Sequence, residues 1–272
     1  MYRLVASDMD ETFLNQEHKI PQVNIDAIAE MRSKGVLFVP ASGRAYHSVL
    51  QSCAAIPKEL LEGSYVISYN GGCINKISDD TPITSHQLPF DLVKAIYDWA
   101  MQFDVGFHIY ETTGKVWGSH LQQSEIDYLR GHMPYTDFTD DSLSFLKDVP
   151  LAKMLVVKPD GMPYLRHMCD IMPKDLKDQV TYTFSSNRYF EFNPLGVDKG
   201  TGLKQLLEIL HIDPQDSIAC GDAQNDMPMM EVAGVGVCVS NADDDVKADA
   251  DYVAKASCND GVLKEVVEQF IN

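Results

Sequence analysis

Positive charge is scarce in this chain of 272 residues: 22 Lys and Arg face 40 Asp and Glu, for a formal net charge of −18. Phosphate backbones recruit Lys and Arg, so this balance argues against DNA or RNA as the main partner. It leaves room for a small phosphorylated ligand, because a local metal and a few cations outweigh a diffuse field. Cysteine pairs are missing too. Cys53, Cys73, Cys169, Cys220, Cys238 and Cys258 form no CxxC and no zinc-finger spacing, and Cys220 and Cys238 sit in apolar runs as small core residues. The eight His show no metal-ligand spacing. No apolar run approaches a membrane span, and the few residues before Asp8 are too short for a signal peptide. A cytoplasmic location with no membrane partner is therefore expected. Internal repeats are absent, and Gly234-Val235-Gly236 follows no GxGxxG pattern, which argues against a nucleotide-binding dehydrogenase.

What is present is a core. A composition 45% hydrophobic and 23% charged suits a globular protein, and the length suits one large domain or two ordinary ones. The chain is organised around Asp8-Met9-Asp10-Glu11-Thr12, which ends the apolar run Leu4-Val5-Ala6. Such a run reads as a buried strand of a parallel sheet, and ligands bind beyond the carboxyl ends of those strands. Asp8 and Asp10 are two residues apart, so an extended backbone projects them to one side. Two like charges so close need a cation or a shared proton, and a hard divalent ion with oxygen ligands supplies the first. A calcium-binding helix–loop–helix is excluded: counted from Asp8, its Gly and Glu positions hold Phe13 and Lys19.

Residues 21–34 carry Ile25, Ile28 and Met31 at helical spacing, and 36–41 form a second apolar run. Strand, helix and strand in that order make a βαβ unit with parallel strands. Ser42-Gly43-Arg44 follows, expected to open a helix to about residue 54 and so to offer an anion site. A third strand at 65–69 ends in the turn Asn70-Gly71-Gly72, with a hairpin arm at 73–77. From about 88 to 188 the pattern changes. Helices are expected at 93–100, 122–132 and 162–171, and strands at 106–111, 152–157, 180–184 and 189–192. This is the signature of a separate α+β domain inserted into the first. Residues 137–148, rich in acids, read as a solvated connector. The first pattern then returns: a helix opened by Lys199-Gly200, a strand at 217–220 running into Gly221-Asp222-Ala223-Gln224-Asn225-Asp226, a strand at 235–239, and a final strand and helix. Asp243, Asp244 and Asp245 suit the positive end of a helix and carry no ligand role.

Four chemistry-bearing segments thus follow four candidate sheet strands, at Asp8/Asp10, Ser42, Asn70 and Asp222/Asn225/Asp226, with Lys199 returning to the same edge. Together they supply what phosphoryl transfer demands: a carboxylate nucleophile, a second carboxylate for the leaving-group proton, acids for a metal, and a hydroxyl and a lysine for phosphoryl oxygens. Asp8-x-Asp10-x-Thr12, Ser42-Gly43-Arg44, Lys199-Gly200 and Gly221-Asp222-x-x-Asn225-Asp226 resemble the four ordered motifs of the haloacid dehalogenase superfamily, and more closely its Cof-type sugar-phosphate phosphatases.

The resemblance covers essentially the whole chain. It implies an α/β fold with a Rossmann-like parallel-sheet core over 1–85 and 190–272 and an inserted α+β cap over 86–189. It implies Asp8 as nucleophile, forming an aspartyl-phosphate, and Asp10 as the acid that protonates the leaving oxygen and then activates water. Mg2+ would be held by the Asp8 carboxylate, the Asp10 backbone carbonyl and Asp222, with Asn225 and Asp226 in support. Ser42 and Lys199 would act on phosphoryl oxygens, and Ser42, Gly43, Arg44, Lys199 and Asn225 would form the substrate-binding set. The expected partner is a small phosphorylated metabolite, with no nucleic acid or membrane, and the expected assembly a monomer or weak homodimer. His108 and Tyr110, or Glu191 and Asn193, are candidates for substrate selection in the cap.

Two positions depart from the pattern: Glu11 and Ser240 stand where these relatives usually carry Gly. Glu lacks glycine's access to positive φ, and here it adds a negative charge near the site. Two other functions remain open on the same motifs: a phosphomutase that returns the phosphoryl to a sugar hydroxyl, and a non-catalytic phosphate- or metal-binding protein.

Overall fold

The computed structural model describes residues 1–130 and 133–271; the helix expected over 122–132 spans Gln123–Leu129, and the last two residues of that expectation lie outside the described ones. Strands β1 (Leu4–Asp8), β2 (Leu37–Ala41), β3 (Tyr65–Ser68), β4 (Cys73–Lys76) and β5 (Thr84–Ser85) come first. β6 (Gly106–Glu111), β7 (Val116–Ser119), β8 (Thr136–Asp137), β9 (Leu151–Val157), β10 (Val180–Ser185) and β11 (Tyr189–Pro194) follow, and β12 (Ser217–Gly221), β13 (Val235–Cys238) and β14 (Tyr252–Val253) close the chain. The fold is α/β. Its first sheet has the order β14-β13-β12-β1-β2-β3-β4-β5, parallel from β14 to β3, and β4 turns back antiparallel on β3.

β1 is buried along its whole length because it is central, with β2 on one side and β12 on the other. From β1 the chain builds outward in one direction through β2 and β3, then returns to build the other way through β12 and β13. The β1/β12 seam is thus the point where strand order reverses, and crevices at such points are where open α/β sheets bind ligands. Asp8 ends one strand of the seam and Asp222 follows the other.

The chain divides into two compact units, Met1–Thr84 with Asp198–Asn272, and Ser85–Val197. The return to the first unit falls at Asp198, later than the boundary expected at 190, because β11 pairs with both β10 and β9. The second unit has its own sheet, β10-β11-β9-β6-β7-β8, and its own core. One face carries Phe107, Ile109, Met154, Val156, Phe190 and Phe192 into that core. By register the opposite face carries His108, Tyr110, Lys153, Glu191 and Asn193, so both pairs of selection candidates share it. All five are buried there, and Lys153 Nζ donates to Glu191 Oε2 at 2.7 Å.

Two expectations change. Residues 137–148 are not simply a solvated connector: Phe138, Leu143 and Leu146 are buried in the second core. The helix after Ser42 starts only at Tyr46 and ends at Ser52, so Ser42-Gly43-Arg44 is a loop rather than a helix N-terminus. Among the described residues no helix is long and apolar enough to cross a membrane.

Candidate active site

Asp8 is buried at the end of β1, and burial pushes its carboxyl well above the usual range. Lys199 pulls it down, while Asp226, Asp222 and Asp10 add to the rise. Lys199 opens the helix Lys199–Leu210, whose first turn is fixed by a capping box: Asp198 Oδ1 accepts from Thr201 N at 2.7 Å, and Asp198 N donates to Thr201 Oγ1 at 2.9 Å. Held there, Lys199 Nζ donates both to Asp8 Oδ1 and to Asp226 Oδ1, the latter at 2.5 Å. Burial alone would drive the ammonium toward neutrality. Asp226 and Asp8 outweigh it, so the lysine stays charged.

Asp226 also organises its own loop, accepting from the backbone N–H of Asp222 at 3.0 Å and of Ala223 at 3.1 Å through Oδ2. The loop can wrap so closely only because residue 221 is glycine: a Cβ there would lie 2.3 Å from Asp226 Cβ. Asp222 is turned by a second bond, from Thr12 Oγ1 to Oδ1 at 2.6 Å. Its carboxyl is pushed up to about 7, by burial first and Asp226 next, with the Thr12 bond working the other way. Asp8, Asp222 and Asp226 each offer an oxygen within 4.8 Å of the others. A buried acid cluster that is costly to ionise and made only of hard oxygen donors fits a divalent cation such as Mg2+.

Asp10 lies two residues beyond Asp8, and its carboxylate is not in that cluster. Arg44 donates to Asp10 Oδ1, and His18 Nδ1 lies 3.4 Å from the same oxygen. Arg44, expected in the substrate-binding set, is thus paired with Asp10 and also donates to Ser52 Oγ at 3.2 Å. Ser42 is buried after β2, its Oγ accepting from Arg44 N at 3.1 Å and its carbonyl from Asn70 N at 3.0 Å. Asn70 itself has φ +54° and packs against Gly43, where a Cβ would meet its Oδ1 at 3.1 Å. The loops after β2 and β3 are therefore laced together. Asn225 sits half-buried in the Asp222–Asp226 loop.

The structure joins Asp8, Lys199, Asp222 and Asp226 in one hydrogen-bonded group with Thr12, and ties Asp10 to Arg44 and His18. Thr12 stood in the first motif without an assigned task, and His18 was not singled out. The spacing of Thr12 from Asp222 along the chain leaves no local pattern to read.

A sequence model of the haloacid dehalogenase-like hydrolases matches residues 5–266. The chain belongs to that family. Its relatives include a 5-amino-6-(5-phospho-D-ribitylamino)uracil phosphatase, YcsE, of Bacillus subtilis, 29% identical over 97% of this chain and 94% of the relative. Phosphatase YwpJ of the same organism is 27% identical over 96% of this chain and 97% of its own. Among solved structures, a haloacid dehalogenase-like hydrolase from Bacteroides thetaiotaomicron superposes with a TM-score of 0.82 at 27% identity, covering 99% of this chain and 100% of that one. Both family and fold are those the motifs imply, and at the coarse level the chain is a phosphatase of this family.

Proposed function

We propose that this protein hydrolyses monophosphate esters of small metabolites, sugar phosphates among them, through an aspartyl-phosphate on Asp8. The observation that supports it best is the placement of a buried carboxylate at the β1/β12 seam, hydrogen-bonded to Lys199 and backed by Asp222 and Asp226.

In the first step Asp8 Oδ attacks phosphorus, the bond from phosphorus to the ester oxygen breaks, and Asp10 gives that oxygen its proton. In the second, Asp10 takes a proton from water, the water oxygen attacks phosphorus, and the bond to Asp8 breaks to release inorganic phosphate. Lys199 serves twice: it opposes the rise that burial imposes on the Asp8 carboxyl, favouring the ionised form that attacks, and it faces the phosphoryl oxygens with a fixed positive charge. Ser42 adds a hydroxyl to those oxygens, Gly43 a backbone without side-chain bulk, and Arg44 and Asn225 polar groups around the substrate. The Asp8 carboxylate, the Asp10 backbone carbonyl and Asp222 would hold Mg2+, with Asp226 and Asn225 in support. Bound there, the ion supplies charge stabilisation for the transferring phosphoryl group. The second unit, with its separate core and buried polar sheet face, sets which metabolite is accepted.

The test is magnesium-dependent hydrolysis of an aryl phosphate by the wild type and by Asp8→Asn, which removes the nucleophile while nearly preserving shape. The expected result is loss of turnover in a folded variant. A folded Asp8→Asn protein with wild-type turnover overturns the assignment.

A further inference from the structure

Glu11 stands where the backbone favours no side chain. Its φ is +57° and its ψ +10°, in the left-handed region that glycine enters freely and most residues avoid. The turn is pinned, not slack. Asn241 Nδ2 donates to the Glu11 carbonyl at 2.9 Å, and Asn241 Oδ1 accepts from the N–H of Cys258 at 2.8 Å. An exposed carboxylate is thereby held one residue beyond Asp10. It stands in the chain between Asp10 and Thr12, whose hydroxyl donates to Asp222 Oδ1 at 2.6 Å.

The cations nearby are already engaged. Lys199 is shared between Asp8 and Asp226, and Arg44 is paired with Asp10. Around these two cations stand the carboxyl groups of Asp8, Asp10, Glu11, Asp222 and Asp226. A divalent cation bound there would answer the inner acids. That leaves Glu11, an exposed carboxylate on the residue next to Asp10, the group that meets the leaving oxygen.

We infer that Glu11 is a specificity-determining residue that disfavours leaving groups carrying a further negative charge, so that the preferred substrates are monophosphates of neutral or cationic alcohols. The inference rests on the phosphatase reading above, in which the leaving oxygen departs beside Asp10. Two unit charges about 8 Å apart at an effective dielectric of about 40 alter an equilibrium or rate about fivefold. Raising the salt to roughly 0.5 M shortens the Debye length to a few ångströms and removes most of that effect.

The experiment compares kcat/KM for phosphoethanolamine, glycerol phosphate and phosphoglycerate, whose leaving groups are cationic, neutral and anionic. It uses the full chain as wild type, Glu11→Gln and Glu11→Gly, at low and high salt. The wild type should favour phosphoethanolamine over phosphoglycerate, and the ratio should fall on the order of 25-fold in Glu11→Gln at low salt, about fivefold for each of the two charge steps. High salt should lower the wild-type ratio and leave that of Glu11→Gln nearly unchanged. Glu11→Gly removes the same charge while relaxing the turn, so a matching ratio in both variants assigns the effect to charge. Hydrolysis by the wild type with a ratio unmoved in Glu11→Gln overturns the role of Glu11 alone. A wild type that hydrolyses no phosphate ester overturns the phosphatase reading and this inference with it.

Discussion

The hydroxyl of Thr12 donates to Asp222 Oδ1 at 2.6 Å, joining the turn after β1 to the loop after β12 across the central seam of the sheet. Hydrogen bonds to a charged group contribute about 1.5–3 kcal/mol. This one favours the ionised carboxyl, against burial and Asp226. Thr12→Val keeps the shape and removes the donor, so Asp222 should hold its proton to higher pH. The magnesium concentration for half-maximal activity at pH 7 should rise roughly tenfold, and the gap should narrow at pH 9. An unchanged magnesium requirement would mean that Thr12 only fills space.

Lys199 is buried between Asp8 and Asp226, so its removal strands two carboxyl groups. Breaking such a buried arrangement costs about 3–5 kcal/mol. Lys199→Met should therefore melt on the order of 10 °C below the wild type at pH 8 in chelator. The deficit should shrink toward pH 5, where the stranded carboxyls can bind protons. Activity should be lost at both pH values. Calorimetry at the two pH values checks the stability difference directly.

In the metal-free protein, burial raises the Asp8 carboxyl, and burial with Asp226 raises that of Asp222 to about 7. A carboxyl whose folded value lies above its unfolded value stabilises the fold fully below the unfolded value. That stability is lost as pH rises through the folded one. The apo protein should accordingly melt several degrees lower at pH 8 than at pH 5. Magnesium should restore more stability at pH 8, where it does not compete with protons. Asp222→Asn should flatten the pH dependence, and thermal melts across this range with and without magnesium decide it.

Asp10 is bound through its carboxylate to Arg44, outside the Asp8–Asp222–Asp226 group. Asp10→Asn should therefore leave magnesium affinity by calorimetry nearly unchanged while removing proton transfer. General acid–base help is worth about 10²–10⁴-fold, and the loss should be greatest for sugar alcohols, which need a proton to leave. Aryl phosphates should instead show a rapid burst of aryl alcohol followed by slow steady release. A large loss of metal binding, or equal loss in burst and steady state, would sink this division of labour.

Much of the site was legible from local pattern. Leu4-Val5-Ala6 before Asp8, and Ile218-Ala219-Cys220 before Gly221-Asp222, are short apolar runs that become buried strands, and the acids follow because strand ends are where polar residues reach solvent. Lys199 was legible as a residue opening a helix, and that helix forms over Lys199–Leu210. Less was legible around residues 42–45. Ser42 before a helical stretch reads as a cap, but its hydroxyl accepts from Arg44 N and its carbonyl from Asn70 N, and the helix begins only at Tyr46. A bond within its own loop, and a backbone bond from the loop after β3, stand in place of the cap.

The sequence by itself determined which residues carry charge, which runs are apolar enough to be strands, and the order of four motifs, because these depend on residue type and near spacing. Only the tertiary structure decided partners. That Lys199 bridges Asp8 and Asp226, that Thr12 holds Asp222 and that Asn241 pins Glu11 depend on β12 and β13 lying on one side of β1, which brings the two ends of the chain together; that Arg44 holds Asp10 depends on β2 lying on the other. A strand pairing between residues more than 200 positions apart leaves no trace in local periodicity, because its energy comes from burial and hydrogen bonding that exist only once the sheet has formed.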